Sequence, residues 1–159
     1  MNDHLQASVA DVYAIGDAIS KKQPALTPVV QFEARYLFNS LEQGWQQPIV
    51  YPLVATGVFS FPQVAQAGII PEDSTAYQIE RHNFQDGLRG GQNDLDNCLK
   101  LVFDKENHLV GAAEISDHAI DDLNYYLPLM ALKLHKADLQ DKAIGIFPTM
   151  GANSINLLH

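Results

Sequence analysis

Two short motifs near the N-terminus carry the residue types best suited to holding a ligand. Residues 9–18 read VADVYAIGDA. Val12, Tyr13, Ala14 and Ile15 predict a short strand, which Gly16 breaks, leaving Asp17 at its end. A carboxylate there either accepts hydrogen bonds from a ligand hydroxyl or caps the following turn, a common use of Asp. After a polar loop with Pro24, Thr27-Pro28 opens a helix through Val29, Phe32, Ala34, Leu37, Phe38 and Leu41. Thr is a good N-cap, and Pro suits the first helical position, where its missing N–H would be unpaired anyway. The free N–H groups of such a first turn suit an anion or a carbonyl.

Other candidates have a plainer reading. Asp117, Asp121 and Asp122 resemble a metal cluster, but acidic residues in a first helical turn also complement the helix dipole. His82, His108, His118 and His135 lack metal-ligand spacing and are expected on solvated surfaces. Cys98, the one cysteine, flanks a strand and is expected as a buried thiol rather than a reactive one. No nucleophile–base pair stands out.

The elements that must position these groups centre on residues 98–115, CLKLVFDKENHLVGAAEI. Leu99, Leu101 and Phe103 alternate with Lys100, Val102 and Asp104, the period of a strand with one buried face. Asp104 to Asn107 supply the turn, since Asp and Asn bond their own backbone. Leu109 to Ile115 return as a second strand, whose small central residues admit a close neighbour. A lone hairpin is marginal in water, so a wider sheet and a covering helix are required. Residues 116–136 supply that helix, capped by Ser116 or Asp117, with Ala119, Leu123, Leu127, Met130 and Leu134 as its apolar stripe. Pro128 predicts a kink or a break into two helices. Between the two ends, residues 49–61 read as two extended pieces broken by Pro52 and Gly57. Pro62 to Ala67 read as a short helix ended by Gly68, Ala76 to Glu80 as a strand, and residues 85–97 as a polar, Gly-rich loop.

Composition narrows the partners. A net charge of −9 over 159 residues disfavours nucleic acid and anionic membranes. No apolar run reaches the roughly 18 residues of a membrane helix. The N-terminal MNDHLQAS does not read as a signal peptide, and with a single cysteine a cytoplasmic location without internal disulfides is expected.

VADVYAIGDA followed by LTPVVQFEARYLFNSL resembles the last flavin-contacting segment of the pyridine nucleotide-disulfide oxidoreductases, the family of glutathione reductase and dihydrolipoamide dehydrogenase. Residues 51–68, YPLVATGVFSFPQVAQAG, are similar to that family's first interface-domain strand and its Phe-Thr-x-Pro-Glu segment, with Ser60 and Gln63 in place of Thr and Glu. The hairpin of residues 99–115 resembles its Lys-Leu-Val, turn, Gly-Ala pattern. The resemblance implies that Asp17 of the Gly16-Asp17 pair holds the ribityl chain of FAD. It also implies that the backbone around Thr27, Pro28 and Val29 faces the flavin carbonyl.

The family's G-x-G-x-x-G, redox Cys pair and nicotinamide domain have no counterpart here. Its C-terminal His-Pro-Thr-x-x-Glu, an acid/base supplied by the partner subunit, aligns with Phe147-Pro148-Thr149-Met150-Gly151-Ala152. Phe147 and Ala152 therefore stand where the family has its His and Glu, and no catalytic residue is assigned. The resemblance implies an α+β fold: an antiparallel sheet of three to five strands with helices packed on one side. Residues 1–45 would be a remnant of the FAD-binding domain and 46–159 the dimerisation domain. The chain would form a homodimer, with Tyr125, Tyr126, Met130 and Met150 as interface residues, and would bind no metal. FAD would belong to the full-length parent, which passes electrons from NAD(P)H through FAD to a disulfide. The chain alone would hold no FAD. The alternative is a stand-alone interaction or ligand-binding module that kept the interface fold.

Overall fold

The structure is a computed structural model and describes residues 1–44, 47–83, 97–138 and 144. The chain divides into two compact units, Met1–Val54 and Ala55–His159.

The first unit is built on α1 (Thr27–Gln43). The helix starts as the sequence predicts, but one residue out of phase. Leu26 occupies the N-cap without a side-chain cap, Thr27 is already helical, and Pro28 takes the second position. Val29 and Val30 both donate to the Leu26 carbonyl, at 3.0 and 3.1 Å. The buried face also differs from the expected stripe. Phe38 and Leu41 are exposed, whereas Val29, Glu33 and Ser40 are buried. Segments on either side of the helix pack beside it. Tyr36 Oη donates to the Gln47 carbonyl at 2.8 Å and lies 2.9 Å from His4 Nδ1, and the Ile49 amide bonds the Asp3 carbonyl at 2.8 Å. The strand predicted at residues 12–15 is reduced to a single bridge between Tyr13 and Gln6. A strand needs neighbours along its length to satisfy its backbone, and the short N-terminal segment offers only this one pairing.

The second unit is a five-stranded antiparallel sheet in the order β1-β2-β5-β4-β3. Its strands are β1 (Ala55–Val58), β2 (Gln63–Gly68), β3 (Gln78–His82), β4 (Cys98–Phe103) and β5 (Leu109–Ser116). The β4–β5 hairpin lies in the middle, with Leu101 opposite Ala112. Its turn forms for the expected reason. Asp104 Oδ1 accepts the amides of Glu106 and His108, both at 2.9 Å, and Asn107 takes a φ of 62°. These bonds, the one from His108 first, hold the Asp104 carboxyl below its usual range.

Leu99, Leu101 and Phe103, in strict alternation, meet Ala65, Ala67 and Ala112 beneath α2 (Ala119–Ala131). The helix buries Ala119, Leu123, Tyr126, Leu129 and Met130 against them. Tyr126 and Met130 are therefore core residues of one chain rather than interface residues. The predicted α+β class, an antiparallel sheet with helical packing on one side, is what forms.

Several boundaries depart from the sequence expectations. Residues 63–67 are strand rather than helix, because Ala65 and Ala67 turn inward while Val64 and Gln66 turn outward, a two-residue period. Gly57 lies inside β1 rather than breaking it; a Cβ there would come within 3.0 Å of Ile120 Cγ1. Ser116 ends β5, so α2 begins later, with His118 at its N-cap. Helix α2 runs unbroken through Pro128, an exposed residue one turn from the end, where the Asn124 carbonyl it deprives of a partner can meet water. It then closes with Lys133 at φ 51°, Leu134 N–H on the Leu129 carbonyl at 3.0 Å, and Lys133 N–H on that of Met130 at 3.1 Å. That pair of bonds is the Schellman arrangement. Cys98 is half-buried and free rather than fully buried. Residues 85–96 of the predicted loop, and Phe147 to Ala152, lie outside the described residues.

Candidate functional site

The Gly16-Asp17 pair forms a short 3-10 turn, Gly16–Ala18, rather than a strand end. Gly16 is required there twice over. Its φ is +66°, a region few side chains enter, and a Cβ would come within 3.0 Å of Val30 Cγ2 on α1. The bare backbone can thus lie against the helix, and its amide donates to Glu33 Oε2 at 2.7 Å.

Glu33 is the anchor of this region. Its carboxylate is fully buried, yet three separate segments satisfy it. Besides Gly16, Lys21 Nζ donates to Oε1 at 2.5 Å and Tyr51 Oη donates to the same oxygen at 2.6 Å. The Lys21 side chain is only 7% exposed, so this is a buried ion pair. Burial pushes the Glu33 carboxyl up, but bonds from Lys21, Tyr51 and Gly16, with the Lys21 charge, outweigh it and hold the group below its ordinary range. Burial and the adjacent carboxylate push the Tyr51 hydroxyl well above its ordinary range. The Tyr51 ring also packs on Phe32 of α1, with ring centres 5.8 Å apart.

This frame leaves Asp17 outward. Its carboxylate is exposed and makes no hydrogen bond or ion pair among the described residues. Thr27 and Pro28 are exposed and Val29 is buried. The Thr27 amide pairs with no backbone carbonyl among the described residues, Pro28 has no N–H, and the Val29 amide is already spent on Leu26. The helix start therefore presents one donor rather than a ring of them. Asp17 thus offers an exposed acceptor and the Thr27 amide a backbone donor. A phosphate cradle is not found among the described residues.

Glu33, Lys21 and Tyr51 escape a sequence reading because a helical Glu normally signals a solvated face. One signal was available: Val29, Glu33, Tyr36 and Ser40 follow the i, i+4, i+7, i+11 spacing of a single face. A second role missed in the sequence belongs to Gln63, at the position of the family's Glu. Its Oε1 accepts the Ile120 amide in the first turn of α2 at 3.1 Å, tying helix to sheet. Among the described residues, no group of three or more His, Cys, Asp or Glu is placed to hold a metal, and no helix is long and apolar enough to cross a membrane.

No family model matches the chain. It is 26% identical over 165 residues to an uncharacterised 19.7 kDa protein in a mercuric resistance operon of Staphylococcus aureus, covering 99% of this chain and 91% of that protein. It is 24% identical over 167 residues to glutathione reductase of Nostoc, covering 99% of this chain and 35% of the reductase. Among solved structures, the Cu(II) complex of the HOCl-induced flavoprotein disulfide reductase RclA of Escherichia coli superposes with a TM-score of 0.81. The identity is 21%, over 98% of this chain and 36% of RclA. The chain thus spans nearly all of the staphylococcal protein but only about a third of either reductase. In sequence and fold, it matches the C-terminal part of the pyridine nucleotide-disulfide oxidoreductases.

Proposed function

We propose that the chain is the interface, or dimerisation, part of an FAD-dependent pyridine nucleotide-disulfide oxidoreductase, preceded by a remnant of its FAD-binding domain, and that it does no chemistry alone. The observation that carries this reading is the likeness over 99% of the chain to only a third of a glutathione reductase. The parent's FAD would accept electrons from NAD(P)H and pass them to a disulfide. In that parent, Asp17 would accept from the cofactor's ribityl hydroxyls, and the Thr27-Pro28-Val29 backbone would face the flavin carbonyl. Gly16 and Glu33 would fix the turn that carries Asp17. The near-complete exposure of Phe59 (84%) and Phe61 (89%), in the β1–β2 connection, supports a surface meant to be covered by more protein. A homodimer, a cytoplasmic location and residue boundaries of 1–45 and 46–159 belong to the same proposal.

A hybrid tests it. The chain replaces the matching part of the Nostoc glutathione reductase, and the purified hybrid is assayed for bound flavin by absorbance. The expected result is a yellow protein that loses flavin on Asp17→Ala. A folded hybrid that retains no flavin, or one indifferent to Asp17→Ala, overturns the assignment.

A second reading, a stand-alone interaction or ligand-binding module, is supported by the staphylococcal protein, whose 19.7 kDa matches the span of this chain without a reductase around it. It predicts a ligand at Asp17 other than a flavin, and the hybrid then stays colourless.

A further inference from the structure

His108 and His135 lie far apart in sequence, yet the topology brings them together. They pair as an isolated antiparallel bridge between the residue just before β5 and the segment after α2. Their rings are 4.0 Å apart, centre to centre, and tilted by 37°. His108 Nδ1 lies 3.1 Å from Asp104 Oδ2, and His135 Nδ1 lies 2.9 Å from the Glu106 carbonyl. Both Nδ1 atoms are thus held by the same turn. A carbonyl can only accept, so His135 carries its proton on Nδ1 and its Nε2 is a free lone pair. A carboxylate as partner favours the same tautomer for His108. Neither Nε2 has a partner among the described residues. With both Nδ1 atoms anchored on one turn and the ring centres 4.0 Å apart, each ring keeps its Nε2 free of that turn. Imidazoles whose Nδ1–H is fixed by a carboxylate or backbone carbonyl, with Nε2 open, form the arrangement found behind histidine metal ligands.

We propose that His108 and His135 form a two-imidazole site for a borderline divalent transition-metal ion, Cu(II) before Ni(II) or Zn(II). The order follows the general affinity of nitrogen ligands for these ions. With two protein ligands, water or a small carried ligand completes the coordination sphere. His135 is exposed, so an ion reaches the site without any opening of the fold. The site is independent of the flavin reading. Asp104 acts through His108 as a positioning residue.

The test is Cu(II) titration of the full metal-stripped chain, read by calorimetry and by electron paramagnetic resonance. The expected result is one tight Cu(II) per chain with the nitrogen splitting of two imidazoles. His135→Phe, which keeps a ring stacked on His108, should leave a one-nitrogen signal and weaken binding at least ~10-fold. Asp104→Asn, which keeps the turn's Oδ1 acceptor but not the Nδ1 partner, should weaken binding about 10-fold or more. His118→Ala should change nothing. Unaltered binding in His135→Phe, no tight site in the natural chain, or equal loss in His118→Ala overturns the proposal. Should a variant fail to fold, the natural chain decides: in its NMR spectrum Cu(II) must broaden His108 and His135 before other histidines, and uniform broadening overturns the site.

Discussion

Removal of the Glu33 carboxylate tests the architecture of the Asp17 region most severely. Glu33→Ala strips the acceptor from Gly16 N–H, Tyr51 Oη and Lys21 Nζ together, and leaves the Lys21 charge, 7% exposed, without its counter-ion. Removing one partner of a buried pair costs about 3–5 kcal/mol. Lys21 lies in a loop and can swing its amine to water, which places the expected cost near the lower end, about 3 kcal/mol. Glu33→Gln keeps an oxygen for Gly16 and gives up the charge, so its loss is smaller, about 1–3 kcal/mol. A Lys21→Met, Glu33→Gln double variant should recover part of the sum, with a coupling of about 0.5–3 kcal/mol, because no unpaired ammonium remains. Denaturant unfolding followed by far-ultraviolet circular dichroism supplies the free energies, and hydrogen exchange at the Gly16 amide reports the local loss. Glu33→Ala within about 0.5 kcal/mol of the natural chain, with Gly16 exchange unchanged, would refute the reasoning.

Three further outcomes follow from the same structure. The Glu33 carboxyl is held below its ordinary value of 4.5, so its contribution is complete above that pH and is lost as pH falls through the lower folded value. Tyr51, raised above 10.0, contributes below that pH and loses its contribution as pH rises through the higher folded value. The pH dependence of unfolding should therefore show an acid limb that Glu33→Gln flattens and an alkaline limb that Tyr51→Phe flattens. Gly111→Ala drives a Cβ into the Ile69 carbonyl beside the β2–β5 pairing and should cost about 1–3 kcal/mol or more by thermal unfolding, while Ala113→Gly, at a half-buried site, costs less. Gln63→Ala leaves the Ile120 amide unpaired at the head of α2 and should cost about 1 kcal/mol, visible as faster exchange in the first turn of that helix.

The β4–β5 hairpin was legible because three independent cues agree on it: two-residue alternation in Leu99, Leu101 and Phe103, a turn of Asp and Asn, and small residues where Ile69 comes close. Strand β2 was not, because Val64-Ala65-Gln66-Ala67 mixes helix formers with a single β-branched residue, and only its neighbours β1 and β5 make it a strand. The start of α1 was legible from Thr27-Pro28, but its buried face was not. Nothing local distinguishes a Glu33 that meets water from one met by Lys21 and Tyr51, residues brought in by loops on either side of the helix. The His108–His135 pair is hidden for the same reason, since spacing along the chain says nothing about a bridge made by the fold. Gly16 and Asp17 were visible as a motif, while the helix-side support that holds them was not.

Sedimentation equilibrium of the purified chain at micromolar concentration bears most directly on the proposal that this is an interface module. The account predicts a dimer whose association weakens when the exposed Phe59 and Phe61 are both replaced by Ser. A chain that sediments as a monomer throughout would contradict it.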